Sequence, residues 1–234
     1  MAINAGPKIV EDGLVFCVDA ANKKSYPGAG TTWTDLTANK DNGTLTNMDA
    51  TNFSNDSAGS LSFDGANELI QFNSTTMPSA YPFSLSAWIK TTTLTGGDFR
   101  TVAAFGNTSN NHQFAILGVD KNTSRARWTV RSGSSGLNAL AIGGSAVNDG
   151  TPHFLVGVSA SASDHRIYLD GVLIGTSTTS LTTPSYNTFN VGALQRSSTI
   201  QFFDGNIYLI HFYNRALSAS EVLQNYNATK WRFQ

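Results

Sequence analysis

The sequence has few charged side chains and almost no cysteine. Of its 234 residues, 13% are charged and one, Cys17, is a cysteine. A lone thiol cannot form an intramolecular disulfide, so packing must stabilise the fold, and we expect Cys17 to be buried and unreactive. The 15 basic and 16 acidic residues nearly cancel. No net positive field therefore favours a nucleic-acid partner.

Long apolar runs and a secretory leader are missing as well. No run of apolar residues reaches the length needed to cross a bilayer, so membrane insertion is not expected. Residues 1–8 lack a basic segment followed by an apolar one. This predicts a protein that is made in a cytoplasm without a signal peptide.

Glutamate is also scarce, and this bears on catalysis. The three glutamates are Glu11, Glu68 and Glu221, and they do not form a carboxylate motif along one strand. Glycoside hydrolysis normally needs two carboxyl groups roughly 5 to 10 Å apart. The sequence also lacks a His/Cys cluster for zinc and a Gly-x-Ser-x-Gly nucleophile elbow. We therefore expect no enzymatic activity, and a glycoside hydrolase ranks third among the functional hypotheses.

The residues that are abundant favour strands. Ser, Thr, Asn and Gly are frequent, and aromatic residues make up 11% of the chain. Segment 83–90 alternates between an apolar face and a second face that carries Ser84, Ser86, Trp88 and Lys90. Apolar segments flank the Asp64-Gly65 and Asp170-Gly171 turns, which predicts two hairpins. Residues 132–144 are rich in Gly and Ser and are interpreted as a loop.

The C-terminal region gives the most specific pattern. Residues 207–213 are apolar on both faces, which predicts a central strand covered by protein on both sides. We expect His211, within this strand, to be a hydrogen-bonded core histidine. Ser218 and Glu221 then have the spacing of a capping box and predict the start of a short helix.

This C-terminal pattern resembles the last strand and helix of laminin-G-like domains in the concanavalin A-like lectin/glucanase superfamily. Further segments are similar to the family in order and spacing: GLVFCVDA (13–20) with WTDL (33–36), LSFDGANELI (61–70), FSLSAWIK (83–90) and IYLDG (167–171). The resemblance implies an all-β jelly-roll sandwich of two antiparallel sheets with a short C-terminal helix. We expect an N-terminal arm over residues 1–12 and a single domain over residues 13–234.

The resemblance also implies a setting. Stand-alone domains with this opening look like virion components of tailed bacteriophages, such as tail fibres and head decorations. The leading hypothesis is a non-catalytic carbohydrate-binding or adhesion module on the virion that recognises a cell-surface glycan. The alternative is a purely structural decoration protein that contacts other capsid or tail subunits. A homo-oligomer would suit a fibre tip, although no residue specifies one.

Four residues are predicted to bind carbohydrate. Trp88 shares a face with polar side chains, so we expect its ring to be accessible to a sugar. Alternation along residues 125–131 places Arg125, Arg127 and Arg131 on one face and Trp128 inward. This arginine face suits an acidic sugar or a partner subunit, and a solvated face that maintains solubility explains it equally well. We expect Trp231 to pack the C-terminal tail onto the sandwich.

A calcium site is the one cofactor prediction. Members of this superfamily often hold calcium with loop carboxylates and carbonyls, and calcium takes six to eight oxygen ligands. The predicted ligands are Asp64, Asn67 and Glu68, together with Asp204. Tyr208 stands where related domains often have an acidic residue. The competing interpretation is that Asp64 and Asn67 are ordinary turn-forming residues.

Overall fold

The computed structural model describes residues 7–72, 76–92, 99–133 and 137–233, and these form a two-layered β-sandwich. Each layer is an eight-stranded antiparallel sheet. The strands are β1 (Leu14–Asp19), β2 (Thr32–Trp33), β3 (Gly43–Thr46), β4 (Phe53–Ser54), β5 (Ser60–Asp64), β6 (Leu69–Phe72), β7 (Phe83–Lys90), β8 (Phe99–Gly106), β9 (Phe114–Asp120), β10 (Arg125–Arg131), β11 (Asn138–Ala146), β12 (His153–Ser161), β13 (Asp164–Leu169), β14 (Val172–Ser177), β15 (Thr188–Val191), β16 (Leu194–Gln195), β17 (Thr199–Ile200) and β18 (Asp204–Tyr213). One α-helix, α1 (Ala219–Thr229), and 3-10 turns at Ala50–Asn52, Asp56–Ala58 and Lys230–Phe233 complete the structure.

The first sheet is organised around β18. Its strand order is β14-β13-β12-β7-β18-β5-β4, and β1 also pairs with β18. One edge of β18 pairs with β7, while β5 and β1 share the other edge. The prediction of a central strand over residues 207–213 is therefore confirmed.

The second sheet has the order β11-β10-β9-β8-β15-β6-β3-β2. Its inward side chains meet those of the first sheet in a core rich in phenylalanine. Phe16 contacts the rings of Phe72 and Phe189 edge-on, with centroids 4.8 and 5.0 Å apart. Burying one such side chain stabilises the fold by about 1.5–3 kcal/mol, so the core holds the layers together without a disulfide. The predicted all-β jelly-roll sandwich is confirmed.

The helix covers the outer face of the first sheet. The Oγ of Ser218 accepts a hydrogen bond from the backbone N of Glu221, and the Glu221 carboxylate accepts one from the backbone N of Ser218, which confirms the predicted capping box. Arg215 forms an ion pair with the same carboxylate at 2.6 Å. Beneath the helix lies a second apolar cluster that includes Tyr208 and Tyr213. This explains why β18 is apolar on both faces.

Two of the local predictions are wrong. The segments around Asp64-Gly65 do not form a hairpin, because β5 pairs with β18 in the first sheet and β6 pairs with β3 and β15 in the second. The turn instead carries the chain from one layer to the other. The Gly/Ser-rich stretch 132–144 is not simply a loop, because it contains most of β11.

The other local predictions hold, with one exception at His211. Asp170 and Gly171 both have positive φ, as a two-residue hairpin turn between β13 and β14 requires. Cys17 is buried, and burial, with the charges of Asp19 and Asp35, raises the pKa of its thiol to about 12. His211 is buried as expected, but its Nδ1 has no hydrogen-bond partner. In the described part of the chain, no helix is both long and apolar enough to cross a membrane.

The predicted division into an arm (1–12) and a domain (13–234) stays a prediction. Residues 1–6 lie outside the described residues. Within the rest of the arm, Val10 packs against the outer apolar cluster, and its backbone N donates to the Oδ1 of Asn225 at 2.7 Å. The end of the arm is thereby tied to α1.

Candidate functional site

Trp88 is not available to a sugar, contrary to the prediction. Its side of β7 was assigned correctly, but α1 and the final 3-10 turn cover that side, and Trp88 is 2% exposed. Its ring stacks on Phe233 with centroids 4.0 Å apart and on Tyr226 at 5.7 Å. Its Nε1 donates a hydrogen bond to the Oγ1 of Thr229 at 2.7 Å. Trp88 is therefore a packing residue that holds the C-terminal segment on the sheet.

Trp231 is exposed, which is also the reverse of the expectation. It is 72% exposed, and Phe233 takes the packing position that was expected for it. The Nε1 of Trp231 donates to the backbone O of Ala228 at 3.0 Å, which orients the ring on the helix end. Trp231 borders a groove of about 490 Å³. The lining residues are Asp19, Ala21, Asn22, Lys23, Ala58, Leu209, Ala228, Thr229, Trp231 and Arg232.

Arg232 fixes the position of the segment that carries Trp231. Its Nη1 pairs with the Oδ1 of Asp19 at 2.7 Å, and its Nε and Nη2 donate to the backbone O atoms of Ser57 and Gly59 at 2.7 and 2.8 Å. These three contacts join the 3-10 turn to two separate parts of the sandwich. The wall of the groove beside Trp231 is therefore preformed.

The groove has the chemistry that a saccharide needs. A Trp ring offers a flat apolar surface to the C–H face of a sugar. Asn22, Lys23 and Thr229 supply side-chain amide, ammonium and hydroxyl groups within the same lining, and such groups bind sugar hydroxyls. Among the described lining residues Asp19 is the one carboxylate, and it is paired with Arg232. This groove was not found from the sequence, because nothing in the Trp231 segment indicates which aromatic ring faces outward.

The arginine face of β10 exists, but it does not form one site. Trp128 is buried in the main core, as predicted, so Arg125, Arg127 and Arg131 lie on the outer face of the second sheet. A strand rises about 3.3 Å per residue, so Arg125 and Arg131 are about 20 Å apart. Trp88 belongs to the other sheet. The four predicted carbohydrate-binding residues are therefore not brought together.

Arg127 is held within the protein. Its Nη1 pairs with the Oδ2 of Asp120 at 3.2 Å, and its Nε donates to the Oγ1 of Thr129 at 3.0 Å. Its guanidinium also lies 4.3 Å from the ring centroid of Phe99. Arg127 is 8% exposed, so its guanidinium group interacts with neighbouring residues of the sheet and is not accessible to a ligand.

Arg131 has a second arginine beside it. It lies opposite Phe114 of β9, and the guanidinium of Arg196 lies 5.4 Å from the centroid of the same ring. Burial lowers the pKa of Arg196, and the positive charge of Arg131 lowers it further. The Nε atoms of both arginines are buried and have no hydrogen-bond partner. Arg196 was missed because its approach to Arg131 depends on how the β16–β17 hairpin folds onto the sheet.

The predicted calcium ligands lie near one another, but two of their oxygens are already used. Asp64 and Asp204 are directly opposite in the β5–β18 ladder. The two carboxylate oxygens of Glu68 accept hydrogen bonds from the Nδ2 of Asn52 at 2.8 Å and the backbone N of Asp64 at 2.7 Å. Burial raises the pKa of Glu68, against the effect of those two bonds. Asn67 is exposed at the turn.

No three His, Cys, Asp or Glu side chains in the described ranges are placed to hold a metal ion. The predicted ligands are therefore close in the structure, but the described side chains are not arranged to coordinate a metal ion. Calcium binding at the Asp64–Glu68 turn stays a prediction.

His153 joins two carboxylates in an arrangement that resembles a catalytic group. Its Nδ1 lies 2.8 Å from Asp170, and its Nε2 lies 3.2 Å from both Asp149 and the Oγ1 of Thr151. Burial lowers the pKa of His153, but the two carboxylates outweigh it and raise the pKa above its ordinary value. The protonated ring that this favours cannot take a proton from Thr151, whose hydroxyl already donates to Asp149 at 2.7 Å. This cluster acts as a clamp at the start of β12.

Comparisons with known proteins agree with this fold. A family model described as the concanavalin A-like lectin/glucanases superfamily matches residues 64–223, more than half of the chain. No curated protein matches the sequence.

Several solved structures share the architecture. Trypanosoma rangeli sialidase in complex with the inhibitor DANA is 18% identical with a TM-score of 0.66, over 94% of this chain and 33% of the sialidase. The receptor-binding domain of botulinum neurotoxin type G is 14% identical with a TM-score of 0.64, over 92% of this chain and 51% of that one. Domain 4 of an extracellular arabinanase from Geobacillus stearothermophilus, in complex with arabinotriose, is 17% identical with a TM-score of 0.63, over 92% of this chain and 99% of that domain.

At these identities the likeness shows the fold alone. This chain spans about a third of the sialidase and about half of the neurotoxin domain. The arabinanase domain, in contrast, is matched over nearly its whole length.

Proposed function

This chain belongs to the concanavalin A-like lectin/glucanase superfamily, and from that premise we propose that it is a non-catalytic carbohydrate-binding module whose saccharide lies in the groove beside Trp231. The module is displayed on a bacteriophage virion, in a tail fibre or a head decoration, and its ligand is a cell-surface glycan. The fold family hosts several functions, so the assignment depends on the site.

The exposed ring of Trp231 is the observation that carries this proposal. An indole that is 72% exposed and oriented by its own hydrogen bond presents a large apolar surface to water. A ligand that covers the ring would remove this apolar surface from water, which favours binding. The polar groups of Asn22, Lys23 and Thr229 in the same groove suit a ligand that combines apolar and hydroxyl surfaces, and saccharides are of this kind.

Three solved structures support the same class of function. One similar domain was solved with arabinotriose, a second is a receptor-binding domain, and a third belongs to a sialidase with a bound inhibitor. They lend support to a saccharide ligand in general and do not specify which saccharide this chain binds.

The described lining of the groove does not offer the pair of carboxyl groups that glycoside hydrolysis needs. Hydrolysis of a glycosidic bond needs a proton donor and a second carboxylate on either side of the bond. Among the described lining residues of the groove, Asp19 is the only one with a carboxylate, and Arg232 forms an ion pair with it at 2.7 Å. A saccharide bound on Trp231 would therefore be held without being cleaved. A glycoside hydrolase remains the third hypothesis.

A structural decoration protein is the second candidate, and one surface favours it. Val172, Leu173 and Leu223 are 62%, 47% and 45% exposed. Leu223 on α1 lies beside Gly171 of the β13–β14 turn. Leu173 lies opposite Tyr168, whose ring packs in the cluster under the helix, so Leu173 and Leu223 are on the same side of the sheet. Exposed apolar patches of this kind often contact other proteins. Under this hypothesis the chain binds other virion subunits.

Glycan-array screening followed by calorimetry tests the proposal. The wild-type protein is expected to bind at least one glycan, and Trp231→Ala is expected to weaken that binding at least tenfold, while Trp231→Phe retains most of it. The matched control is Leu223→Ala, an exposed apolar residue of the same helical region that lies outside the groove lining. Binding that is unchanged in Trp231→Ala would contradict the site. The absence of any bound glycan, together with self-association or subunit binding that Leu173→Asp removes, would favour the structural reading.

A further inference from the structure

Three arginines on the outer face of the second sheet, Arg125, Arg131 and Arg196, form no ion pair with a described carboxylate. Arg125 is exposed, whereas the Nε atoms of Arg131 and Arg196 are buried without a hydrogen-bond partner. Arg127, Arg166, Arg215 and Arg232 each form an ion pair with an Asp or Glu side chain. Within the described residues, neither Arg131 nor Arg196 has a carboxylate within ion-pair distance.

The fold holds these two arginines around one aromatic ring. Phe114 packs in a small outer cluster with Phe99, Ile116 and Leu194, and this cluster fixes the β16–β17 hairpin on the sheet. Arg196 at the hairpin turn lies over Phe114, and its Nη1 donates to the backbone O of Asn111 at 2.9 Å. Arg131 lies on the same face, in direct cross-strand register with Phe114.

This placement is unfavourable in the absence of a ligand. Two positive charges lie close enough for one to lower the pKa of the other. Each Nε–H is also out of contact with water and donates to nothing, and an unmade hydrogen bond of a buried charged group is costly. An oxyanion that accepts hydrogen bonds from the partly exposed guanidinium groups would offset the repulsion between the two charges, because Arg offers parallel donors that match carboxylate and sulfate geometry.

We propose that Arg131 and Arg196 form an anion-binding site that takes the carboxylate or sulfate group of an acidic saccharide. The saccharide class rests on the function proposed above, whereas the anion site rests on the arginines alone. Leu140 of β11 is 40% exposed and lies beside the site, opposite Thr129, where it offers apolar surface to a sugar ring. The net charge of −1 and the small size of this patch do not suit a nucleic acid.

This site is separate from the groove at Trp231. The groove lies on the outer face of the first sheet and the arginine pair on the outer face of the second, and packed sheets are about 10 Å apart. One sugar residue cannot touch both. The two sites therefore bind independently, and the protein can attach to a polymer through two faces.

The first test observes the two side chains directly. In ¹⁵N-edited NMR spectra, the Nε–H signals of Arg131 and Arg196 are assigned with the Arg131→Gln and Arg196→Gln variants. Trigalacturonate is then titrated against its neutral counterpart, a trigalactoside of the same length. Both signals are expected to shift on addition of the acidic trisaccharide and to stay in place with the neutral one. Signals that do not move with trigalacturonate would overturn the proposal.

The second test measures affinity. Each single variant is expected to weaken trigalacturonate binding roughly tenfold, the effect of losing one charge-assisted contact. The control Arg125→Gln removes an exposed arginine from the same strand face and is expected to bind as the wild type does. An equal loss in Arg125→Gln would show a general charge effect and overturn the site. Arg196→Lys, which keeps the charge, covers the case in which Arg196→Gln does not fold.

Two further measurements distinguish a free inorganic anion from an acidic saccharide, and the arginine site from the groove at Trp231. Sodium sulfate that binds as tightly as trigalacturonate would overturn the assignment to a saccharide. Trp231→Ala is expected to retain trigalacturonate binding at the arginines. If a neutral glycan binds in the groove while the arginine signals remain unmoved, this inference alone fails. If trigalacturonate moves the arginine signals but Trp231→Ala binds every array glycan normally, the groove assignment alone fails.

Discussion

The Trp88→Ala substitution provides a sharp test of how the C-terminal segment is attached. The ring of Trp88 is 2% exposed and contacts Phe154, Tyr226 and Phe233, with centroids 5.4, 5.7 and 4.0 Å away. Removing a buried ring of this size lowers the free energy of unfolding by about 3–5 kcal/mol. For a domain of this length, that corresponds to a fall in Tm of about 6–20 °C.

The matched control is Trp88→Phe, which keeps most of the ring and removes the hydrogen bond to Thr229. Its cost is expected to be about 1–2 kcal/mol, because the Oγ1 of Thr229 still donates to the backbone O of Asn225 at 2.8 Å. Urea denaturation and calorimetry measure both variants. A Trp88→Ala protein whose free energy of unfolding is within about 1 kcal/mol of the wild-type value would show that the ring is not buried under the helix.

Two other predictions concern protons and calcium. Burial lowers the pKa of His211 to about 4, so the unfolded chain binds its proton more readily than the folded protein does; stability should be unaffected above about pH 6.5 and fall by up to about 1.4 kcal/mol per pH unit toward pH 4. Urea titrations at pH 8, 6 and 4.5 measure this fall in stability, and His211→Leu is expected to reduce it. An equal dependence of the free energy of unfolding on pH in both proteins would contradict the prediction. The calcium prediction requires that millimolar calcium raise Tm and that EDTA or Asp64→Asn remove the rise. An identical Tm with calcium and with EDTA would rule the site out.

The layers of the fold could be predicted because the pattern of apolar residues along a strand indicates which of its faces are buried. Residues 207–213 are apolar on both faces, and the structure places them in the middle of the first sheet beneath α1. The capping residues Ser218 and Glu221 act within one turn and were likewise visible. The Asp64-Gly65 turn was misread because a turn sequence does not say which sheet the next strand will join. That choice depends on pairing with β18, far away in the chain.

The site was harder to predict because alternation gives the face of a side chain and not what covers that face. Trp88 was assigned to the correct face, yet a helix 130 residues later in the chain lies on it. Trp231 was expected to make that contact, and Phe233 makes it instead. The approach of Arg196 to Arg131 likewise depends on the β16–β17 hairpin packing on Phe114. No local pattern in the sequence encodes such long-range contacts.

Intrinsic tryptophan fluorescence during titration with the preferred glycan reports whether the saccharide lies on Trp231. Of the four tryptophans, Trp33, Trp88 and Trp128 are buried and Trp231 is 72% exposed. A saccharide that stacks on Trp231 should shift the emission of the wild-type protein to shorter wavelength, with no shift in Trp231→Phe. Glycan binding that leaves the emission unchanged, or a shift that persists in Trp231→Phe, would show that the saccharide does not lie on Trp231.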